Sequence, residues 1–336
     1  MKDYYHSEDC DLAVLKGKTI AVIGYGIQGR AQALNLRDSG FSVVIGNRRD
    51  AAFNRAVEDG FETLDIAAAA RRGDVVMLLI PDESHKDAFE KDLRGQLKPG
   101  ALVTIAHGYS VRYKKFEIPP DIDLALLAPR FPGAQVRGFF VEGHGVPAFV
   151  DIIQDKSGQA LPRVLALGEA LGFARAGLLH VSAEDETDLD LFVEHFMAPL
   201  FFRTMEESLK YLVEQGYPAK AAALELYFSG ERGAFWTMCA KNGMYKTLKA
   251  NASPTCQFGI SHYIKTVFND SIRASMKKAI DEIRDGTFAR MLDDEEAKGY
   301  PVVASFYAEK DANLITKIED EIKSIIRKTK TEPATQ

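Results

Sequence analysis

The chain has 336 residues, 46% of them hydrophobic and 27% charged, which suggests about two globular domains and excludes disordered and collagen-like classes. A net charge of −6, no apolar run near the ~20 residues of a membrane span, and a polar N-terminus unlike a signal peptide predict a protein that binds neither nucleic acid nor membranes. Its three cysteines are far apart and form no C-x-x-C motif, which excludes a readable disulfide framework or zinc knuckle and favours the reducing cytoplasm.

Short runs rich in Val, Ile and Leu alternate with helical stretches through the first half of the chain. Continuous apolar runs of this kind are typical of strands that are buried on both faces of a parallel sheet. The alternation therefore predicts an α/β domain, a Rossmann-like doubly wound fold, over residues 1–182. The predicted strands are Thr19–Ile23, Ser42–Ile45, Asp74–Ile80, Leu102–Ile105 and Leu124–Ala128, and the predicted helices are Gln28–Ser39, Ala51–Asp59 and Glu83–Asp92.

Strand signals become rare after residue 183, and long helical patterns replace them. Helices are predicted at Glu186–Val213, Pro218–Asn242 and Ser261–Arg284. Pro199 lies inside the first of these patterns and predicts a kink or a break there. The second half is therefore predicted to be an all-α domain over residues 183–328, followed by a polar, flexible tail over residues 329–336.

A glycine-rich turn, Gly24-Tyr-Gly26-Ile-Gln-Gly29, follows the first strand and opens the first helix. This context makes G-x-G-x-x-G a dinucleotide-binding fingerprint, although a glycine-rich turn without a ligand is the alternative. Gly24 permits the tight turn, Gly26 lets a pyrophosphate approach the backbone, and Gly29 permits close packing of the helix on the strand. The helix N-terminus favours anionic phosphates, so the turn predicts an NAD(P)-binding site.

The second predicted strand is followed by Arg48-Arg49-Asp50, where such a domain distinguishes its cofactors. An acid here usually holds the ribose 2′-hydroxyl of NAD, whereas arginines accommodate the 2′-phosphate of NADP. Two guanidinium groups match the geometry of a phosphate. The pair therefore favours NADPH, while Asp50 leaves NADH possible.

Two acids, Asp190 and Glu194, lie four residues apart on a predicted helix and share one face. Two carboxylates there repel unless a cation lies between them, and Mg²⁺ takes one or two carboxylates plus waters and substrate oxygens. The alternative is a solvated acidic helix start that complements the helix dipole. Glu225 lies in an apolar stretch and requires a partner, either a metal or an arginine.

His107 and Arg130 follow predicted strands, whose carboxyl ends line the ligand crevice of an open α/β sheet. His107 could orient water or donate to a substrate oxygen there, and a partly buried structural histidine is the alternative. Arg130 could clamp an anion.

These motifs together resemble ketol-acid reductoisomerases of the short, class I form, over about residues 1–325. The resemblance implies a knotted all-α second domain and a homodimer or higher homo-oligomer in which Glu225 and Ser253 act across the dimer. It implies a Mg²⁺-dependent alkyl shift of a small 2-acetohydroxy acid such as 2-acetolactate, followed by hydride transfer from NAD(P)H, in branched-chain amino acid biosynthesis. The supporting segments are GYGIQG, LLIPDESH, AHG, APRFPG, GVPAFVDIIQD, ETDLDLFVEH, LVEQGY and SPTCQFG, in the family's order.

The resemblance also implies roles for individual residues. Asp190 and Glu194 match ligands of one or two Mg²⁺ ions, and Glu225 matches a further metal-site acid. His107 matches the active-site histidine, and Ser253 matches the serine that contacts substrate. The implied cofactor contacts are Tyr25, Ile27 and Gln28 in the glycine turn, then Arg48, then Asp82, Glu83, Ser84 and His85, and finally Gly133.

Several positions depart from the family pattern. Ser229 stands where the second acid of a Glu-x-x-x-Glu pair is expected, and Glu231 would be turned about 200° to the wrong face of a continuous helix. Arg130 replaces a lysine and, unlike it, forks and never deprotonates. We therefore expect a retained cofactor site, an altered catalytic pocket and a weakened second metal site. The other departures are Ile27, Arg30, Phe131, His195 and the apolar stretch Phe196–Phe202.

Three functions remain open at this point. The first is a reductoisomerase that uses NADPH and Mg²⁺ on an acetohydroxy or 2-keto acid. The second is a reductase-only paralogue, in which Arg130 clamps the carboxylate of a different 2-keto acid. The third is a non-catalytic protein that senses NADP(H). Asp190, Glu194, Glu225 and His107 argue against this last function, because a pure binder needs none of them.

Overall fold

The computed structural model describes residues 2–311 and 313–325, so the predicted tail at 329–336 lies outside the described residues. The chain divides into two compact units, Met1–Leu189 and Asp190–Gln336. The predicted domain boundary after residue 182 stays a prediction. No helix of the described residues is both long enough and apolar enough to cross a membrane.

Among the described residues, nine strands of the first unit form one sheet in the order β1-β9-β8-β7-β6-β5-β2-β3-β4. From β7 to β4 each neighbouring pair is parallel, whereas β8 runs antiparallel to β7 and β1 antiparallel to β9. The strands are β1 (Tyr4–Tyr5), β2 (Thr19–Ile23), β3 (Ser42–Gly46), β4 (Glu62–Leu64), β5 (Val75–Leu78), β6 (Leu102–Ile105), β7 (Asp123–Pro129), β8 (Ala148–Gln154) and β9 (Leu178–His180).

The predicted Rossmann-like α/β fold is confirmed, but the sheet is mixed and not wholly parallel. The five predicted strands correspond to β2, β3, β5, β6 and β7, which lie in the middle of the sheet. Strand β2 shows which feature of the sequence identified them. Ile20 and Val22 pack into one buried cluster, while Ala21 and Ile23 pack into another. A strand that is buried on both faces must be apolar throughout. Strands β1, β4, β8 and β9 are short or carry polar residues, so they lack this signal.

Helices connect the strands of the first unit. The predicted helix Glu83–Asp92 is instead a 3₁₀ turn at Asp82–Ser84, then a short α-helix at His85–Ala88, then a π-helical turn at Phe89–Leu93. The helices are α1 (Ile27–Asp38), α2 (Ala51–Glu58), α3 (Ile66–Arg72), α4 (His85–Ala88), α5 (Tyr109–Arg112), α6 (Gly133–Val141) and α7 (Ala160–Ala170), with α8 (Ala183–Phe192) following β9.

The described part of the second unit is helical, as predicted. Its small core includes Leu209, Ala222 and Ile318. Two of its turns, Val193–Met197 and Leu224–Phe228, are π-helical. The helices are α9 (Ala198–Glu214), α10 (Ala219–Ala223), α11 (Glu231–Asn242), α12 (Met244–Asn251), α13 (Pro254–Val267), α14 (Asp270–Arg284), α15 (Thr287–Ala297), α16 (Pro301–Asp311) and α17 (Leu314–Ile325).

Helix ends in this unit differ from the prediction for local reasons. Pro199 lies in the first turn of α9, where its missing N–H costs nothing, so the helical pattern changes there as expected. The predicted helix Pro218–Asn242 is broken at Gly230, whose φ is 81°. The predicted helix Ser261–Arg284 is in fact the end of α13 and all of α14, because Asn269 accepts a hydrogen bond from the Ile272 amide and starts a new helix.

Candidate active site

The turn between β2 and α1 uses each of its glycines differently. Gly24 has a φ of 95°, and a Cβ added there would lie 2.6 Å from the carbonyl oxygen of Leu79. A Cβ at Gly29 would lie 2.0 Å from the carbonyl oxygen of Gly24, so α1 packs directly on the turn. A Cβ at Gly26 meets no described atom within 4 Å. The turn therefore presents open backbone at a helix N-terminus, which a pyrophosphate requires.

The N-terminus of α6 lies against the same turn. A Cβ added to Gly133 would lie 2.1 Å from the carbonyl oxygen of Ile27, so only glycine allows this approach. The side-chain amide of Gln28 donates a hydrogen bond to the Phe131 carbonyl at 2.9 Å. The structure thus brings together Ile27, Gln28 and Gly133, which were predicted separately as cofactor contacts.

Tyr25 points away from this surface. Its ring is buried, and its hydroxyl donates to Asp59 Oδ2 at 2.7 Å. Arg30 donates to the same oxygen at 2.7 Å and holds the pKa of Asp59 below its usual value. The departure at Arg30 therefore ties α1 to the residue that ends α2. The Tyr25 amide donates to Asn47 Oδ1 at 3.2 Å, so both polar hydrogens of Tyr25 are engaged inside the protein, and its predicted cofactor contact stays a prediction.

In the loop after β3, Asp50 makes different contacts from Arg48 and Arg49. The Asp50 carboxylate accepts hydrogen bonds from the backbone amides of Ala52 and Phe53, at 2.9 and 3.1 Å, and so caps α2. Arg48 and Arg49 are exposed, and the Arg49 guanidinium lies 5.0 Å from the centre of the Phe53 ring. One oxygen of the acid, Oδ1, is thus engaged by the helix, while Arg48, Arg49 and Asp50 are all exposed.

His107 lies between two carboxylates at the carboxyl edge of the sheet. It follows β6, and Asp82 follows the neighbouring strand β5. The Nδ1 atom of His107 lies 2.9 Å from Asp82 Oδ2, and its Nε2 atom lies 3.8 Å from Glu186 Oε2. The predicted active-site histidine is thus held between two elements of the first unit.

Glu186 is fully buried, and the sequence reasoning missed it. The backbone amide of Gly108 donates to its Oε2 atom at 2.7 Å, and an Arg130 guanidinium nitrogen lies 3.0 Å from its Oε1 atom. A Cβ on Gly108 would lie 2.1 Å from the Ala183 carbonyl oxygen, so glycine lets α8 approach this closely. The buried carboxylate is therefore held by a backbone donor and a cation, as a buried charge must be.

His85 is engaged inside the protein. Its Nε2 atom lies 3.1 Å from the Ile80 carbonyl oxygen, and its Nδ1 atom lies 2.8 Å from the Ser110 hydroxyl. Since a carbonyl only accepts, Nε2 carries the hydrogen and Nδ1 accepts from Ser110. Burial lowers the pKa of His85 and keeps the ring neutral. Because the Asp82 carboxylate is engaged with His107, a side-chain contact to the cofactor from this segment falls to the half-buried Glu83 and Ser84.

Comparison with known proteins identifies the family. The family model described as the acetohydroxy acid isomeroreductase NADPH-binding domain matches residues 14–177, and that of the ketol-acid reductoisomerase C-terminal domain matches residues 183–328. The chain belongs to the ketol-acid reductoisomerase family. The predicted family, and with it the function predicted at the family level, an NADP-dependent oxidoreductase, are confirmed.

Individual relatives agree over nearly the whole chain. A ketol-acid reductoisomerase (NADP(+)) from Caldivirga maquilingensis is 35% identical over 328 residues, covering 97% of this chain and 99% of that protein. One from Pyrobaculum calidifontis is 38% identical over 303 residues, covering 90% and 92%. The solved structure of an NADH-preferring ketol-acid reductoisomerase from an uncultured archean has a TM-score of 0.92 at 33% identity, covering 97% of this chain and 100% of that one.

The metal-site residues predicted for the reductoisomerase lie in the second unit. Asp190 is in the last turn of α8, while Glu194 and Glu225 each lie in one of the two π-helical turns and are exposed. Such turns occur frequently at functional sites. Among residues 2–311 and 313–325, no group of three His, Cys, Asp or Glu side chains is arranged to hold a metal ion.

Two further residues of this unit lie where helices begin. The Ser253 hydroxyl accepts a hydrogen bond from the Cys256 amide at 3.3 Å and caps α13. Glu231 starts α11 directly after the turn at Gly230. The expected 200° offset of Glu231 assumed a continuous helix and is therefore wrong.

Proposed function

We propose that this reductoisomerase converts a small 2-acetohydroxy acid of the acetolactate type, using NADPH and Mg²⁺, in branched-chain amino acid biosynthesis. The observation that carries the proposal is the cluster of His107, Glu186 and Arg130 at the carboxyl edge of the sheet. A buried ion pair contributes little to stability compared with well-packed apolar side chains, so packing alone does not explain the cluster. A protein that only senses NADP(H) has no need of it.

NADPH, and not NADH, is the proposed cofactor. The open backbone at Gly26 fits a pyrophosphate, and the exposed Arg48 and Arg49 fit the 2′-phosphate of NADPH. Asp50 would be the ribose-binding acid of an NADH enzyme, but its Oδ1 atom accepts from Asn47 and from the first amides of α2, which ties the carboxylate to the helix. Bound NADPH would supply the hydride, and the residues of the turn would hold it against the sheet.

Cofactor choice is tested by kcat/KM for NADPH and NADH in matched variants. Arg48→Ala combined with Arg49→Ala should lower the preference for NADPH, because each lost charge-assisted hydrogen bond contributes about 1.5–3 kcal/mol. Asp50→Asn, which still caps the helix, should leave the preference unchanged. A loss of NADH use in the Asp50→Asn variant would contradict the proposal, since it would mean that Asp50 binds the ribose.

Mg²⁺ is proposed to bind Asp190 and Glu194. Two protein carboxylates suffice for this ion when waters and substrate oxygens complete its coordination. Bound Mg²⁺ would supply Lewis acidity toward the substrate oxygens. Ser229 offers no carboxylate, so a second ion, with Glu225 as its acid, would be held more weakly.

Calorimetric titration with Mg²⁺ tests the second site. Ser229→Glu should strengthen Mg²⁺ binding, and unchanged affinity would show that the position of Ser229 has been misread. Glu231→Gln should leave binding as it is. If it weakens binding, Glu231 supplies the acid that Ser229 lacks, and the second site is not impaired.

Arg130 supports the full reaction over the reductase-only alternative. In that alternative Arg130 clamps the substrate carboxylate, which needs an uncompensated positive charge. Here its guanidinium is paired with Glu186 and lies 4.8 Å from the centre of the Phe149 ring. The pair carries no net charge, so it is poorly suited to attract an anion.

The reaction is tested by NADPH oxidation with 2-acetolactate and, separately, with 3-hydroxy-3-methyl-2-oxobutanoate, each with and without Mg²⁺. Mg²⁺-dependent turnover of both acids is expected. Turnover of only the second acid would establish a reductase without the alkyl shift. Binding of NADPH without oxidation of it by either acid would overturn the proposal in favour of a sensor or another substrate.

A cytoplasmic homodimer or larger homo-oligomer is proposed as the working form. Large apolar side chains such as Phe258 on α13 and Val302 on α16 are about 70% exposed, which favours association. Light scattering should give at least twice the 37.2 kDa of one chain. Mixing inactive His107→Gln subunits with inactive Ser253→Ala subunits should restore activity if the two residues act across the dimer, and no recovery would contradict a shared site.

A further inference from the structure

Asp82 and His107 meet because their strands are neighbours. Both residues follow parallel strands of one sheet, and the carboxyl ends of such strands lie at the same edge. The Asp82 Oδ2 to His107 Nδ1 distance of 2.9 Å is that of a charge-assisted hydrogen bond. Their side chains are 31% and 17% exposed, so the contact is only partly screened by water.

This contact determines which nitrogen of His107 carries the hydrogen. A carboxylate only accepts hydrogen bonds, so Nδ1 must donate to Asp82. In the neutral ring the other nitrogen, Nε2, is then left without a hydrogen. Nε2 faces Glu186 at 3.8 Å, and Glu186 in turn contacts Arg130. The nitrogen that carries no hydrogen in the neutral ring therefore faces Glu186 and not the Asp82 loop.

A second histidine near Asp82, His85, does not form a hydrogen bond with the Asp82 carboxylate. Asp82 Oδ1 lies 3.8 Å from His85 Nδ1, which is too long for a hydrogen bond. The tautomer of His85 is set instead by the Ile80 carbonyl and the Ser110 hydroxyl, as described above. The Asp82 carboxylate thus acts on His107.

We propose that Asp82 is a positioning residue, which holds His107 in the Nδ1–H tautomer and directs Nε2 toward Glu186. This rests on the proposed function, in which His107 serves the reaction. The resemblance assigned Asp82 only a cofactor contact. Orientation of an imidazole through its second nitrogen is a general means of keeping the reacting nitrogen in the correct state.

The tautomer can be read directly in protein labelled with ¹⁵N-histidine, under conditions where the ring is neutral. The chain has 7 histidines, and the signals that vanish in His107→Gln assign the ring. We expect the Nδ1–H form in the wild type and in Asp87→Ala, which removes a carboxylate that is 69% exposed on the next helix. Asp82→Ala should lose that form, and added formate should restore it by filling the site of the missing carboxylate.

Kinetics separate positioning from cofactor binding. In Asp82→Ala, kcat for NADPH oxidation should fall about 10²-fold, the lower end of the contribution of a positioned acid–base group, while the Kd for NADPH stays unchanged. Formate should recover part of kcat, whereas chloride at equal ionic strength should not. A merely structural role would show no rescue.

Three results would overturn the proposal: an Nε2–H form in the wild type, an unchanged tautomer in Asp82→Ala, or a kcat loss that accompanies weaker NADPH binding and resists formate. The tautomer is measured without turnover. If it switches as expected but neither acid is reduced by the wild type, the proposed function fails while the contact between Asp82 and His107 stands.

Discussion

Glu186→Gln removes the charge of the buried carboxylate and keeps its shape. In the wild type, Oε2 accepts from the Gly108 amide at 2.7 Å and Oε1 lies 3.0 Å from an Arg130 nitrogen. A glutamine oxygen can still accept from Gly108, but Arg130 loses the negative charge of Glu186. Breaking a buried ion pair costs about 3–5 kcal/mol. Because the Arg130 side chain is 24% exposed and regains some hydration, we expect about 3 kcal/mol.

Thermal unfolding measures this cost. For a unit of the size of Met1–Leu189, 1 kcal/mol shifts Tm by about 2–4 °C, so Glu186→Gln should lower the Tm of the first unit by about 6–12 °C. Glu184→Gln makes the same change at an exposed position of the same helix and should stay within about 0.5 kcal/mol of the wild type. If both variants unfold at the wild-type temperature, the pair does not stabilise the fold.

A double variant distinguishes the loss of the contact between Glu186 and Arg130 from the loss of Glu186 itself. Adding Arg130→Met to Glu186→Gln removes the cation that paired with Glu186 and should recover part of the lost stability, since replacing both members of a buried pair is often neutral or stabilising. The coupling between contacting residues is typically at least about 0.5 kcal/mol. Strictly additive effects of the two substitutions would refute the reasoning, because they would show that the two side chains do not interact.

Three further predictions use glycines and a buried histidine. Gly26→Ala should weaken NADPH binding in fluorescence titration without lowering Tm, because its Cβ enters open space and a φ of −80° suits alanine. Gly108→Ala should destabilise by about 1–3 kcal/mol in the same unfolding assay through its 2.1 Å clash with Ala183, whereas Gly138→Ala, in open space on α6, should not. Burial lowers the pKa of His85 below 6.5, so below that pH the unfolded chain takes up a proton that the folded protein does not. Stability should therefore fall as pH falls through this range, and His85→Gln should flatten the fall in Tm, which a pH series measures.

The central fold was predictable because its signals are local and strong. Strands β2 and β6 have the predicted bounds, since strands buried on both faces are apolar from end to end. The helix breaks at Gly230 and Asn269 also had local signals, a glycine that favours positive φ and an amide that caps a helix. They were missed because apolar periodicity continued across them.

In the candidate site too, the residues with a local sequence signal were predictable and the others were not. Gly26 and His107 could be found, because a motif and a strand end specify their places. Glu186 could not, because an acid in an acidic run usually marks a solvated helix start. Its burial follows from the approach of α8 to Gly108 and from Arg130, which lies more than fifty residues away in sequence. Nothing near Glu186 in the sequence specifies either contact.

The contact between Arg130 and Glu186 shows how an arginine in place of a lysine changes the expected catalytic pocket. Arginine and lysine carry the same unit charge, so the charge balance with Glu186 is the same for either residue. The guanidinium differs in being planar and forked, so one of its nitrogens contacts Glu186 while its central carbon lies 4.8 Å from the centre of the Phe149 ring. The departure at this position therefore alters shape and rigidity more than it alters electrostatics. The loss of charge that the resemblance implies is at Ser229, so we expect this reductoisomerase to differ from its relatives in the chemistry of the proposed metal site and not in that of the His107 cluster.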